Sequence, residues 1–567
     1  MNDELDSSLE VLKNYDDAFQ SAALAIKALI QASIGLEKEE IMQTKILLEG
    51  ALAQCETELA LAKALPRSSF GDGAELQVII GQLLLGLAIT GFLSESIPEA
   101  MKSVWKMKRC YNIFYDLNKY MIKNNISTSD RAEPHKAANH GDIHAVRSSS
   151  SSLDRITTLQ LQQAAGSHSV LSPTDYFTAC ATVSGYGFLS LIISAMPPTV
   201  ARVLSVVGFK GNKEQALSDL WSVAAAPNIM GALGLLGLLT YYGAVGALCD
   251  IVPDTTEQAQ KLSDLLDSTI RRYPGSSLWK LTRGRMQQQR GDIYLGIQTL
   301  ESMQPKAHLK QIEAFRNYDL GFAYVTTFQW EKAVDKFILV EAGNDWSKAL
   351  YHYLIGSCFV ELYRDTADAA FAKKAQFYFD KAPAHAGKKK VMGKELPIEV
   401  FLKRKLKKWA TCRKDNRLVD GIAVSPIMEI CHIYNLWKKM DQDLCKKAML
   451  MVTRQGQCSD AADDVLTRQS MMLALKRRLC DWNAAQSIMQ AGVATRQEFK
   501  HIPDAELWSI PDMYYERAAF LWARDGARSA KEIRSWLEKV QTFGDAEFEQ
   551  RLAIKLSTAF QTLDALT

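Results

Sequence analysis

The sequence predicts an all-α chain: a solenoid of stacked helical hairpins interrupted by one long disordered loop. Three observations lead there. Apolar residues recur at spacings of three and four through almost every segment. No stretch alternates with the period of two that a half-buried strand requires. A small-residue pattern also returns at near-constant intervals in the second half, the mark of a repeat architecture. With 567 residues, 47% of them hydrophobic, the chain is long enough for several cores or one extended array.

The elements follow in order. Residues 4–33 place Leu5, Leu9, Leu12, Ala18, Phe19, Ala22 and Ala25 on one helical face, and a second amphipathic stretch runs from Lys38 to Leu65. PRSSFGDG at 66–73 reads as a loop. Ala74 to Leu93 is apolar nearly all round, and Ser96, Pro98 and Glu99 form the start signal of the next helix. Residues 123–172 hold NNISTSD, AEPHKAANHGD and RSSSSSLDR, a composition unable to bury enough surface to offset chain entropy, so a disordered loop is expected. Within it Ser148, Ser149, Ser150, Ser151 and Ser152 beside Arg147, and Ser172 before Pro173, are candidates for phosphorylation; the alternative is a plain polar tether. His135, His140 and His144 lie in the same loop without a Cys or clustered acid to complete a metal shell, so no metal is assigned.

Helices resume at 174. In GYGFLSLIISAMPPTVARVLSVVGFKGNKEQAL (185–217), Pro197 ends one helix and Pro198 starts the next, a short helix 199–207 closes on Gly208, and another begins near Asn212. The stretch is a packed corner and lacks the G-x4-G-K-[ST] of a phosphate loop. IMGALGLLGLLTYYGAVGAL at 229–248 carries no charge and is long enough to span a bilayer. Gly231, Gly234 and Gly237 in it suit close helix contact, and we read it, with 76–93, as buried solenoid helix. Asp254 and Glu257 read as the capping pair of the following helix, which RRYPG at 271–275 stops.

The repeat signal is clearest in YDLGFAYVTTFQWEKAVDKFILV (318–340). Leu320, Gly321 and Tyr324 match the L-G-x2-Y of a tetratricopeptide repeat, and Ala333 and Phe337 its A-x3-F. Gly321 is expected to face Ala333 where the two helices approach most closely, with Tyr324 and Phe337 filling the space around them. Gly284 with Gly296 and Leu300, 37 residues upstream, and Gly356 with Ala375 and Phe379, 35 downstream, repeat the positions. Residues 513–537 again read helix, Gly-containing turn, helix. The division is then 1–122 N-terminal hairpins, 123–172 loop, 173–252 apolar hairpins and 253–567 tetratricopeptide-like repeats, with an open concave groove as the expected partner surface.

Twelve Lys or Arg against three acids in 388–417 offer a surface for anionic lipid or an acidic partner, but a solvated helix face is the preferred reading. A net charge of +3 lacks the concentrated basic face of a nucleic-acid binder. Ten scattered cysteines without a Cys-x-x-Cys suit buried thiols in a reducing compartment. The first residues, MNDELDSSLEVLKNYDD, have no signal-peptide blocks, and the cytosolic side is expected. No hydrolase, zincin or dinucleotide fingerprint is present, so no catalytic residue and no cofactor is assigned.

Gly185, Gly187, Phe188, Leu191, Pro197, Pro198, Leu204, Ser205, Val207, Gly208, Phe209, Gly211 and Asn212 together resemble the signature of the tetratricopeptide repeat protein 39 family, in its fungal inclusion body clearance branch. ELPIEVFLKRKLKKW resembles a later family stretch. The resemblance implies a non-enzymatic interaction scaffold of cytoplasm and nucleus that clears protein inclusions after folding stress through lipid droplet proteins. It also implies an alternative, a mitochondrial outer-membrane protein, in which 76–93 and 229–248 would be embedded; the residues themselves leave a peripheral association with a lipid surface open. A sterol or lipid carrier whose cavity is lined by the same helices is a third reading.

Overall fold

The computed structural model describes residues 17–35, 38–62, 70, 73–93, 97–128, 171–194, 211–306, 310–388, 390–391, 394–412, 418–454, 461–544 and 547–566. Ser148 to Ser152, the three loop histidines, Pro197, Pro198, Gly208 and Phe209 lie outside these residues, as does most of the expected loop.

The N-terminal bundle is built from α1 (Ala18–Gly35), α2 (Lys38–Ala62), α3 (Ala74–Leu93), α4 (Ile97–Lys123) and α5 (Pro173–Ser194). α3 packs against all four of the others, which is why its sequence is apolar on every side. α2 and α4 flank it and run parallel, since their ion pairs ascend together: Lys45–Glu99 at 2.6 Å, Glu49–Lys106 at 3.7 Å, Glu56–Arg109 at 2.5 Å. Each such half-exposed pair is worth under about 1 kcal/mol, so packing carries the stability. The ring of Phe114 fills a notch left by Gly81 on α3 and Gly185 on α5; a Cβ on Gly185 would lie 2.4 Å from it. Ser172 caps α5, accepting from the Asp175 N–H at 3.1 Å.

α6 (Lys213–Val223) begins at Asn212, whose carboxamide accepts from Gln215 N–H at 3.1 Å, as the sequence predicts. α7 (Ile229–Leu248) lies on it through the expected glycines: a Cβ on Gly231 would stand 2.2 Å from the Ala226 carbonyl, and one on Gly237 would meet the Phe188 ring at 2.7 Å. Gly187 rests on α6, and Gly211 rests on the end of α5 beside Ser194. α3, α5 and α7 are each long and apolar enough to cross a membrane. Two-thirds of α3 and of α5 is buried in protein, against 39% of α7.

The repeat region holds α8 (Thr256–Arg272), α9 (Ser277–Gln289), α10 (Ile293–Glu301), α11 (Lys310–Thr326), α12 (Trp330–Gly343), α13 (Lys348–Thr366) and α14 (Ala369–His385). The start of α8 differs from expectation. Asp254 accepts from the Thr256 N–H at 2.9 Å and from its hydroxyl at 2.6 Å, so the cap is a local Asx turn rather than an exchange with Glu257. Then come a two-residue antiparallel ladder, Lys390–Val391 (β1) with Lys394–Glu395 (β2), a small departure from an all-helical chain, and α15 (Pro397–Cys412). α16 (Pro426–Ile433), α17 (Gln442–Thr453), α18 (Ala462–Arg478), α19 (Trp482–Gln490), α20 (Ser509–Asp525), α21 (Ala530–Thr542) and α22 (Glu549–Asp564) complete the described helices. The expected turn after α20 falls at Gly526, with φ +59°. α22 returns to pack against α7.

Candidate functional site

The repeat residues come together as packing units. Leu320, Tyr324, Ala333, Phe337, Ala375 and Phe379 are all buried. A Cβ on Gly321 would lie 2.5 Å from the Phe337 ring, one on Gly356 2.7 Å from the Phe379 ring, and one on Gly284 2.6 Å from Leu300. The notch in the first helix of each hairpin therefore receives the large side chain of the second. Phe337, expected beside the approach of Gly321 and Ala333, supplies the atoms nearest Gly321. Tyr324 turns away, its hydroxyl donating to Glu301 of the preceding hairpin.

One face of these hairpins is covered by later parts of the chain. α9 and α11 pack against the 3-10 turn Leu436–Lys439, and α13 packs against α16. Every residue of α16 is buried. Phe322 meets Tyr434 at 5.4 Å between ring centres, and Tyr353 stacks on Trp409 at 6.0 Å. Residues 418–440 of the same chain pack against these helices.

The basic stretch is a second correction. α15 is amphipathic, but its polar face is only partly solvated. Lys405 is 1% exposed and Lys408 4%. Lys405 donates to Glu429 at 2.9 Å and to Glu506 at 2.8 Å. Lys408 reaches Asp463 at 2.6 Å and Asp464 at 2.8 Å, and Arg404 forks onto Glu547 and Glu506. The acids stand 24 to 143 residues away in sequence, so no local pattern announces them. Lys403 and Lys407 remain on the outer side, paired to Glu395 and Asp504. The run is thus half core and half surface. The carboxylates of Asp463, Asp464 and Glu506 converge closely enough to suggest a metal. The Lys408 ammonium already stands among them, within 3.7 Å of all three, and supplies the positive charge.

Five acids share three cations here, and the imbalance shows in the titration. Burial alone would raise the Glu506 carboxyl; Lys405, Arg404 and Lys408 overcome it and hold its pKa well below the usual range. Glu429 goes the other way, raised by burial and by the neighbouring Glu506 charge beyond what Lys405 offsets. The stability Glu506 contributes is complete above the unfolded carboxylate pKa, about 4, and is lost as pH falls below it. Glu429 favours its neutral form when folded, so its contribution declines as pH rises from about 4 toward neutrality. Glu429→Gln is expected to leave the urea midpoint at pH 7.5 within about 1 kcal/mol of the parent, whereas Glu506→Gln loses about 3 kcal/mol. Equal losses would refute this division of charge.

A second buried cluster is His432 with Asp512 and Ser470. The Trp437 indole N–H donates to His432 Nδ1 at 3.0 Å, so Nε2 carries the proton toward Asp512 at 2.6 Å. Ser470 also donates to Asp512. A serine, a histidine and an aspartate together suggest a hydrolase, but here the hydroxyl is spent on the carboxylate and Ser470 is fully buried. The arrangement is that of a satisfied core network.

The chain closes on itself at residues 249–251. The Asp250 carboxylate accepts from Arg477 at 2.9 Å and from Asn435, and its N–H donates to the Tyr515 hydroxyl at 2.9 Å. Lys438 donates to the Cys249 carbonyl at 2.6 Å, and the Cys249 thiol lies 3.8 Å from the Ile554 carbonyl. Beside this knot α6, α7, α8, α9 and α22 surround a cavity of about 800 Å³. Sequence reasoning pointed to α3 and α7 as the walls of such a cavity; α7 lines this one, α3 does not, and α22 was not foreseen.

Comparison with known proteins agrees with this architecture. Residues 1–510 match the family model described as Iml2/Tetratricopeptide repeat protein 39. The chain is 26% identical to an inclusion body clearance protein iml2 of Aspergillus niger, over 100% of this chain and 93% of that one. It is 28% identical to the protein of that name from Sclerotinia sclerotiorum (99% and 93%) and 25% identical to the one from Yarrowia lipolytica (99% and 91%). With a model matched along most of its length, the chain belongs to the Iml2/Tetratricopeptide repeat protein 39 family.

Proposed function

We propose that the protein is a non-enzymatic interaction scaffold of the cytoplasm and nucleus. It acts in the clearance of protein inclusions after folding stress, and its partners are proteins of the lipid droplet surface. The observation carrying this reading is the near end-to-end similarity to relatives named for inclusion body clearance. Exposed apolar side chains direct attention to the N-terminal bundle. There Met42 and Ile46 on α2 and Met101 and Trp105 on α4 stand exposed, Trp105 at 71%, around the Lys45–Glu99 pair. Aromatic and Met side chains of this kind anchor protein contacts.

The competing reading embeds α3 and α7 in the mitochondrial outer membrane, and the length and composition of those helices favour it. One experiment addresses both. In fungal cells lacking the protein, stress-induced inclusions are expected to persist. Wild-type chain restores clearance and leaves membranes on alkaline carbonate extraction, whereas Ile46→Asp/Trp105→Asp accumulates normally but fails to restore it. Unchanged clearance without the protein would overturn the reading, and retention in the carbonate pellet would favour embedding.

A further inference from the structure

The cavity beside α7 is a small-molecule site by its dimensions and lining. About 800 Å³ falls within the range of ligand pockets. α7 supplies one wall from Leu236 to Ala247, roughly 17 Å of helix axis at 1.5 Å per residue. Over this half the helix has no charged residue, and Gly237 and Leu238 are buried, yet from Leu239 to Ala247 every position is half-exposed or exposed. α3 and α5, of similar composition, are covered by protein to two-thirds. Leu217, Leu262, Leu278 and Met286 from three other helices face the same space. Gly246 lines it, and a Cβ there would meet nothing within 4 Å.

The cavity also has a charged side. Lys213 at the start of α6 is half-buried and lines it, its amine donating to Gln561 of α22. Arg290 lines it too and donates to the Ala259 carbonyl and the Ser263 hydroxyl. Neither forms an ion pair among the described residues. Arg285 is already paired with Asp319, and the lining carboxylate of Asp254 is occupied by Thr256. An uncharged wall with two cations among the lining residues that form no ion pair suits an amphiphile with an anionic head and an aliphatic tail.

We propose that this cavity binds a long-chain fatty carboxylate, its tail lying along residues 236–247 and its head group held by Lys213. The assignment goes beyond the scaffold reading and stands or falls separately from it. The probe is a fluorescent polyene fatty acid titrated into delipidated full-length protein and then displaced by oleate or by oleyl alcohol. Saturable one-site binding is expected, with oleate displacing better than the alcohol. Gly246→Trp fills open space rather than a packed contact, so it is expected to keep the parent's helical circular dichroism and thermal midpoint while losing binding by more than tenfold. Lys213→Gln is expected to weaken oleate about tenfold and leave oleyl alcohol unchanged. Absence of saturable binding, or equal binding by folded Gly246→Trp, would overturn the site. Equal affinities for acid and alcohol in the parent would overturn the anionic head group.

Discussion

Replacing Lys405 by alanine is expected to remove about 3–5 kcal/mol of folding stability, the cost of stranding a buried charge whose partner is gone. The ammonium is the shared counter-ion of Glu429 and Glu506, both fully buried. Without it two carboxylates confront each other in a space closed to water. Lys407, two positions along the same helix, is the control. Its side chain is 71% exposed, and its pair with Asp504 is open to solvent. Lys407→Ala is expected to change stability by less than about 0.5 kcal/mol. Urea unfolding of the two variants side by side measures the difference, and comparable losses would mean that the ionic core does not form.

The second large effect lies in the repeats. Phe337→Ala removes a fully buried ring from the Gly321 notch and is expected to cost about 3–5 kcal/mol. The size of the hole depends on what faces it. Gly321→Ala alone pushes a methyl group into the ring and destabilises, by about 1–3 kcal/mol. In the Phe337→Ala background the same methyl group partly refills the hole, so Gly321→Ala is expected to be neutral or stabilising there. A double-mutant cycle reads that change of sign. Strict additivity of the two substitutions would show that the notch and the ring do not meet.

The helices were largely legible from the sequence because periodicity, caps and breakers are local. Ala74–Leu93 and Asn212 are where pattern and capping chemistry place them. The small-residue positions at Gly284, Gly321 and Gly356 were equally readable, although spacing gives the notch and not how deeply a ring enters it. What escaped is long-range. No feature near Lys405 announces Glu506, and a basic run reads as wet surface until its acids are found on other helices. Likewise nothing in 418–440 says that it will pack against helices within 277–366. The cavity needs α22, whose Gln561 lies 348 residues from Lys213.

The return of α22 to α7 changes what kind of object the chain is. In an open array each unit touches only its neighbours, the terminal units fray, and stability accumulates unit by unit. Here Cys249–Ile554, Asp250–Arg477 and Asp250–Tyr515 tie the middle of the polypeptide to its last third. Topologically the second half is a circuit rather than a line. The last described helix is thereby held by the middle of the chain, and its stability is coupled to that of α7 rather than to its sequence neighbour alone.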